Sequence, residues 1–168
     1  MYLPKKLYFL DDGFIPNSTL PLLLYQDILE ETGEQGAKWL ENRFASNNWT
    51  NSWRWGVYDF HHYHSNTHEV LGVFKGQAVI LLGGEQGEKV KVKPGDVIII
   101  PAGVGHKCLS HDQNFTVVGA YPNGRQPDLK KGEKEERPET DINIKKVPFP
   151  ETDPILGKDS GLVEIWGK

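Results

Sequence analysis

The sequence predicts an all-β fold: a small barrel with one helix ahead of it and a tail wrapped around it. Three observations carry this reading. The 168 residues include 18 glycines and 11 prolines, which cut the apolar stretches into short runs, as strands and turns require. From Trp53 onward the polarity pattern has a period of two, the signature of a strand. Finally, His62, His64 and Glu69 fall close together and His106 follows from a Gly- and Pro-rich segment, a donor set that separate strands of one barrel could bring to a single ion.

The bulk properties fit one domain. Its length suits a single core, expected to form a barrel core at about 50–122 with an N-terminal extension, 1–49, and a C-terminal tail, 123–168, packed on it. A formal net charge of −4, with both signs interspersed, gives no basic patch for nucleic acid. Cys108 is the single cysteine, so an intramolecular disulfide is excluded. No stretch approaches the roughly 20 apolar residues of a membrane helix, and the N-terminus does not read as a signal peptide. The expectation is a cytoplasmic protein with a small-molecule ligand and neither nucleic acid nor membrane as partner.

Along the chain, Leu7 to Leu10 reads as a strand ending at Asp11-Asp12-Gly13, a turn signal. Leu20 to Leu29 is ambiguous, and the unbroken run Leu22 to Tyr25 favours a buried strand. Thr32 to Asn47 predicts the helix: Thr32 and Gln35 resemble a capping box, and Ala37, Leu40 and Phe44 share a face. Trp53 to His64 predicts one strand, with Trp53, Trp55, Val57, Asp59 and His61 on one side and Arg54, Tyr58, Phe60, His62 and His64 on the other. Val70–Phe74, Gln77–Leu82, Lys89–Lys93, Val97–Ile100 and Phe115–Tyr121 are further strands, with Pro94-Gly95-Asp96 a tight turn. In the tail, Lys130 to Arg137 reads as a charged loop, and Ile142, Ile144, Val147, Phe149, Ile155 and Trp166 are the expected anchors.

Residues i and i+2 of a strand project the same way, about 7 Å apart. His62 and His64 can therefore converge on one ion, with Glu69 returning from the next strand as an oxygen donor and His106 closing the set. A lone buried histidine is more often a hydrogen-bonded core residue than a ligand; three histidines and a glutamate at these spacings favour the metal. Tyr58, Phe60 and Arg54 share the ligand side and become pocket candidates, Tyr58 also as a catalytic hydroxyl and Arg54 as a contact for an anionic substrate. His68 is the other catalytic candidate, expected behind the ligands or at the mouth. Cys108 and Tyr121 are pocket candidates for which core packing is the alternative. His61 is expected to face away, and His111 to lie in a polar turn.

These residues resemble the two cupin motifs. The first, G-x5-H-x-H-x3,4-E-x6-G, is matched throughout by Gly56, His62, His64, Glu69 and Gly76. The second, G-x5-P-x-G-x2-H-x3-N, is matched by Gly95, Pro101, Gly103 and His106, with Ser110 in place of the asparagine. The segments HHYHSNTHEVLGVFKG, GDVIIIPAGVGHK and VVGAYPNGR are similar to the YjlB-type cupins. The resemblance implies a jelly-roll barrel, His62, His64, Glu69 and His106 as ligands of one divalent transition metal, and often a homodimer. Mixed nitrogen and oxygen donors suit iron or manganese first, then zinc, nickel or cobalt. Three uses of the site stay open: an Fe(II)-type oxygenase, a metal-assisted isomerase, epimerase or lyase on a small polar substrate, and a module that binds a small molecule or metal without turnover.

Overall fold

A computed structural model describes residues 2–167. Strands β1 (Lys5–Phe9) and β2 (Ser18–Tyr25) form an antiparallel hairpin, followed by helix α1 (Gly33–Ser46) and then β3 (Trp49–Trp55). After a long irregular segment come β4 (Glu69–Lys75), β5 (Ala78–Leu82), β6 (Glu88–Val92), β7 (Val97–Ile100), β8 (His106–His111) and β9 (Thr116–Pro122). The strands make two antiparallel sheets, one of six strands ordered β1-β2-β7-β4-β9-β3 and one of three ordered β6-β5-β8.

The inner strands of the large sheet, β2, β7, β4 and β9, are mostly buried on both faces, which explains their apolar runs. On the barrel side, Leu22, Leu24, Leu71, Val73, Ile98, Ile100 and Val117 pack against Ile80, Leu82 and Cys108 of the small sheet. On the other side, Leu23, Tyr25, Val70, Val97, Ile99, Val118 and Ala120 pack against α1 and the tail. Helix α1 delivers Ala37, Leu40 and Phe44 to that second core, as their spacing predicts. It approaches closely at Gly72, where a Cβ would stand 2.8 Å from a Leu40 methyl. Strand β6 is the wet edge of the small sheet, as its alternating lysines and valines suggest.

Four expectations are corrected. The strand predicted over Trp53–His64 ends at Trp55, and residues 56–68 run irregularly, with isolated bridges at His62 and Tyr63. Thr32 precedes α1 in extended geometry but makes no side-chain cap. The charged loop read over Lys130–Arg137 contains a short 3-10 turn (Lys134–Glu136), and two helices that were not anticipated follow it, α2 (Glu139–Lys146) and α3 (Leu162–Trp166). Among the tail's expected anchors, Ile155 and Trp166 are buried while Ile142 and Phe149 are exposed. Leu162 and Asp153, not anticipated, are further fixed points. Asp153 accepts from the Tyr25 hydroxyl (2.7 Å) and the Leu162 amide (2.8 Å), and the Trp166 indole donates to the Pro21 carbonyl (2.9 Å).

Candidate metal centre

His62, His64 and His106 meet at one end of the barrel, all buried, each offering a donor atom within 4.8 Å of the others. Two different devices bring them there. His106 opens β8, and its backbone pairs with that of His62 in both directions (3.2 and 3.0 Å), seating the irregular segment on the small sheet. His64 is fixed by its carbonyl, which accepts from the Gly103 amide (2.8 Å). Gly103 has a φ of +97°, and a Cβ there would collide with the Asn17 carbonyl, so only glycine fits this turn. Glu69 begins β4 and points from the large sheet into the same space.

The ring orientations are set from behind. Each Nδ1 faces a backbone carbonyl: His62 that of Phe60 (3.1 Å), His64 that of Asp128 (2.5 Å), His106 that of Val104 (3.1 Å). A carbonyl only accepts, so Nδ1 carries the proton and Nε2 is left facing the cluster. This backing is the arrangement that holds metal-binding imidazoles in place. Glu69 Oε1 lies 3.2 Å from His106 Nε2 and 3.4 Å from His64 Nε2. The His106 Nε2 is buried without a well-formed hydrogen bond. Imidazole lone pairs facing a carboxylate are stable only with positive charge among them, either a proton on one ring or a metal ion. The residues therefore fit a divalent cation.

The electrostatics agree. Burial pushes His62 down to about 2, with His106 adding to the effect. For His64 burial works against the charge, but the Glu69 carboxylate outweighs it and the net shift is upward. Burial would likewise raise Glu69, yet the two imidazoles hold it below the usual carboxylate range. Tyr121 completes the back wall: its hydroxyl accepts from the Trp53 indole (2.8 Å) and lies within the field of the Glu69 carboxylate. Burial, then the Glu69 charge, raise the Tyr121 pKa, so it stays a phenol.

A cavity of about 330 Å³ opens onto this cluster. Tyr58 and Tyr121 line it, together with Trp53, Trp55, Leu71 and the segment Gln126–Leu129. The tail's first residues thus form part of its wall. Arg54, Phe60, Cys108 and His68 do not line it. Arg54 is on the helix side of β3, clamped by Glu34 (2.7 Å) and Glu41 (2.6 Å). Phe60 stacks behind Tyr58, 4.7 Å between centroids. Cys108 packs in the barrel core, and its thiol, pushed up by burial, faces the Ser110 carbonyl. His68 points to the opposite side of the sheet, packed on Trp166 (4.8 Å), its Nδ1 accepting from the Ala102 amide (2.9 Å). Burial lowers His68 to about 4. His61 faces away, as expected, toward Glu85 (2.6 Å). His111 ends β8, exposed, rather than lying in a turn.

Sequence reasoning missed Trp53, Trp55 and Asp128. It put the two tryptophans on the face opposite the ligands because it ran one strand phase through residues 56–61. The conflict between a Trp-rich and a His-rich face was the available signal. Asp128 left none, since its carbonyl does the work at His64 while its carboxylate binds the Ser65 amide (2.7 Å) and hydroxyl.

Comparison with known proteins now adds to the geometry. A family model described as Cupin matches residues 59–132. The YjlB protein of Bacillus subtilis strain 168 is 49% identical over 163 residues, covering 96% of this chain and 95% of its own. This chain belongs to the cupin family. Among solved structures, this cupin is similar to the epimerase RmlC of Legionella pneumophila Philadelphia 1, at 12% identity and TM-score 0.42, over 73% of each chain. It is also similar to acireductone dioxygenase from Bacillus anthracis with cadmium in its active centre, at 18% identity and TM-score 0.40. That match covers 54% of this chain and less than two thirds, 62%, of the dioxygenase.

Proposed function

We propose that this cupin binds one divalent transition metal through His62, His64, His106 and Glu69 and acts on a small molecule in the adjoining cavity. The observation that carries the reading is the convergence of three buried imidazoles, each backed by a carbonyl, beside a carboxylate. Such an ion, when bound, supplies a Lewis acid and open coordination positions. The chain contributes the rest. The Trp53 indole fixes the Tyr121 hydroxyl beside the Glu69 carboxylate, the backbone carbonyls fix the rings, and the aromatic wall restricts water. The 168 residues serve as one domain, in the cytoplasm, as a homodimer.

Among the enzyme readings, the Fe(II)-type oxygenase is supported best. An isomerase or lyase needs a base near neutrality. Among the described residues the cavity carboxylates, Glu69 and Asp128, are already engaged, Tyr121 is held as a phenol, and His68 lies on the far side of the sheet. Tyr58 remains as a hydroxyl facing substrate. Elemental analysis of freshly purified protein tests the metal: one equivalent is expected in the wild type and less than a tenth in the His62→Ala/His106→Ala variant. Full retention in that variant sinks the assignment. Oxygen uptake by the Fe(II)-loaded protein across a panel of small chelating substrates tests the oxygenase. Anaerobic solvent deuterium exchange into a bound keto acid or sugar would favour the isomerase, and ligand retention with neither signal the binding module.

A further inference from the structure

The wall of the cavity says what kind of molecule it takes. Trp55 is 61% exposed and Tyr58 38%, although both line the cavity. Their rings pack edge to face at 5.5 Å, and Tyr58 leans edge-on against the His62 imidazole at 5.1 Å. Leu129, 42% exposed, also lines it. Large aromatic faces left open beside a polar cluster are surface that a ligand would cover.

Charge points the same way. Among the described residues no Lys or Arg lines the cavity. Arg54 is committed to two glutamates, and Lys131 lies over the Phe60 ring at 5.2 Å. The lining carries two carboxylates, Glu69 and Asp128, which together balance one divalent ion. Neither an anion nor a cation would find an unmatched partner there.

Resting on the metal reading above, we infer that the cavity binds an uncharged, ring-bearing oxygen chelator, its ring lying against Trp55 and Tyr58 and its oxygens toward the histidine cluster. The ring supplies affinity through aromatic and apolar contact, and the head group supplies orientation.

Two hydroxamic acids with the same chelating head separate ring from head. Benzohydroxamic acid and acetohydroxamic acid are titrated calorimetrically into the Zn(II)-loaded protein, with oxalate as the anionic chelator. Benzohydroxamic acid is expected to bind at least about tenfold more tightly than acetohydroxamic acid, and oxalate more weakly than either. Trp55→Ala should reduce the ring advantage to about twofold without changing zinc content or acetohydroxamic acid affinity, and Trp55→Phe should restore most of it. Equal affinity for the two hydroxamic acids, an unchanged ring advantage in Trp55→Ala, or tightest binding of oxalate would overturn the inference. If the protein takes up no zinc, the metal reading fails by itself. Benzamide and acetamide, followed by tryptophan fluorescence in the metal-free protein, then decide the ring preference: its survival upholds the aromatic platform and its loss removes it.

Discussion

At the scale of single residues, the site depends on groups outside the four proposed ligands. Tyr121 is the clearest case, because its hydroxyl accepts from Trp53 and sits in the field of Glu69. Tyr121→Phe leaves the indole N–H without its acceptor and removes the hydroxyl beside the Glu69 carboxylate. Losing a buried partner costs about 1–3 kcal/mol, and removing a group that orients a metal ligand weakens metal binding by about 10–100-fold. Competition titration against a calibrated chelator should show this drop while the far-ultraviolet circular dichroism stays unchanged. An affinity equal to that of the wild type would mean that Tyr121 does not hold Glu69 in the loaded protein. The four proposed ligands were legible in the sequence because their spacing and donor chemistry are local. Tyr121 was legible only as a wall residue, since its link to Glu69 joins β9 to β4 and no local pattern records it.

At the scale of elements, α1 fits closely against β4. Gly72 leaves room for Leu40, and a Cβ there would press on both Leu40 methyls, 2.8 and 2.9 Å away. Gly72→Ala should cost about 1–3 kcal/mol by overpacking, and Leu40→Ala about 2–5 kcal/mol through the cavity it opens. In the double variant the alanine methyl enters space that the leucine vacated, so the combined loss should fall short of the two separate losses. Urea denaturation of the four proteins measures this directly, and strict additivity would contradict the packing. The helix and most strands could be read from periodicity. The error lay between β3 and β4, where an alternating pattern continued on paper although the ladder had stopped. Polarity alternation reports which side chains could share a face; it does not report whether neighbouring strands supply the hydrogen bonds that keep the phase. The tail helices escaped for a related reason: α2 buries only Thr140, too little apolar surface to leave a helical stripe.

At the scale of the whole molecule, the tail and the N-terminal hairpin are joined by ions as well as by packing. Arg137 reaches Asp11 beyond β1 (2.8 Å) and Asp141 in α2 (2.6 Å). The guanidinium holds both carboxyls below their ordinary 3.8. Carboxyls lowered in the folded state stabilise it fully above that ordinary value, and the gain is lost as pH falls through the folded-state values. All three groups are partly exposed, so Arg137→Gln should cost no more than about 1 kcal/mol at pH 7. Its deficit relative to the wild type should shrink as pH drops below 3.8 and on adding salt. Paired denaturation curves at pH 7 and pH 3 test this. A deficit that persists at low pH would assign the effect to packing of the arginine stem.

The latch formed by Asp153, Leu162 and Trp166 on β2 also bears on time. Tyr25 and Pro21 meet partners 128 and 145 positions away, so the part of the outer face that lies under α3 cannot be covered until those late residues are available. Closing loops of that span delays the contacts that reward it. During synthesis at about 5–20 residues per second, β2 would wait several seconds with Leu23 and Tyr25 unprotected, a window in which a chaperone or a neighbouring nascent chain competes for the same surface.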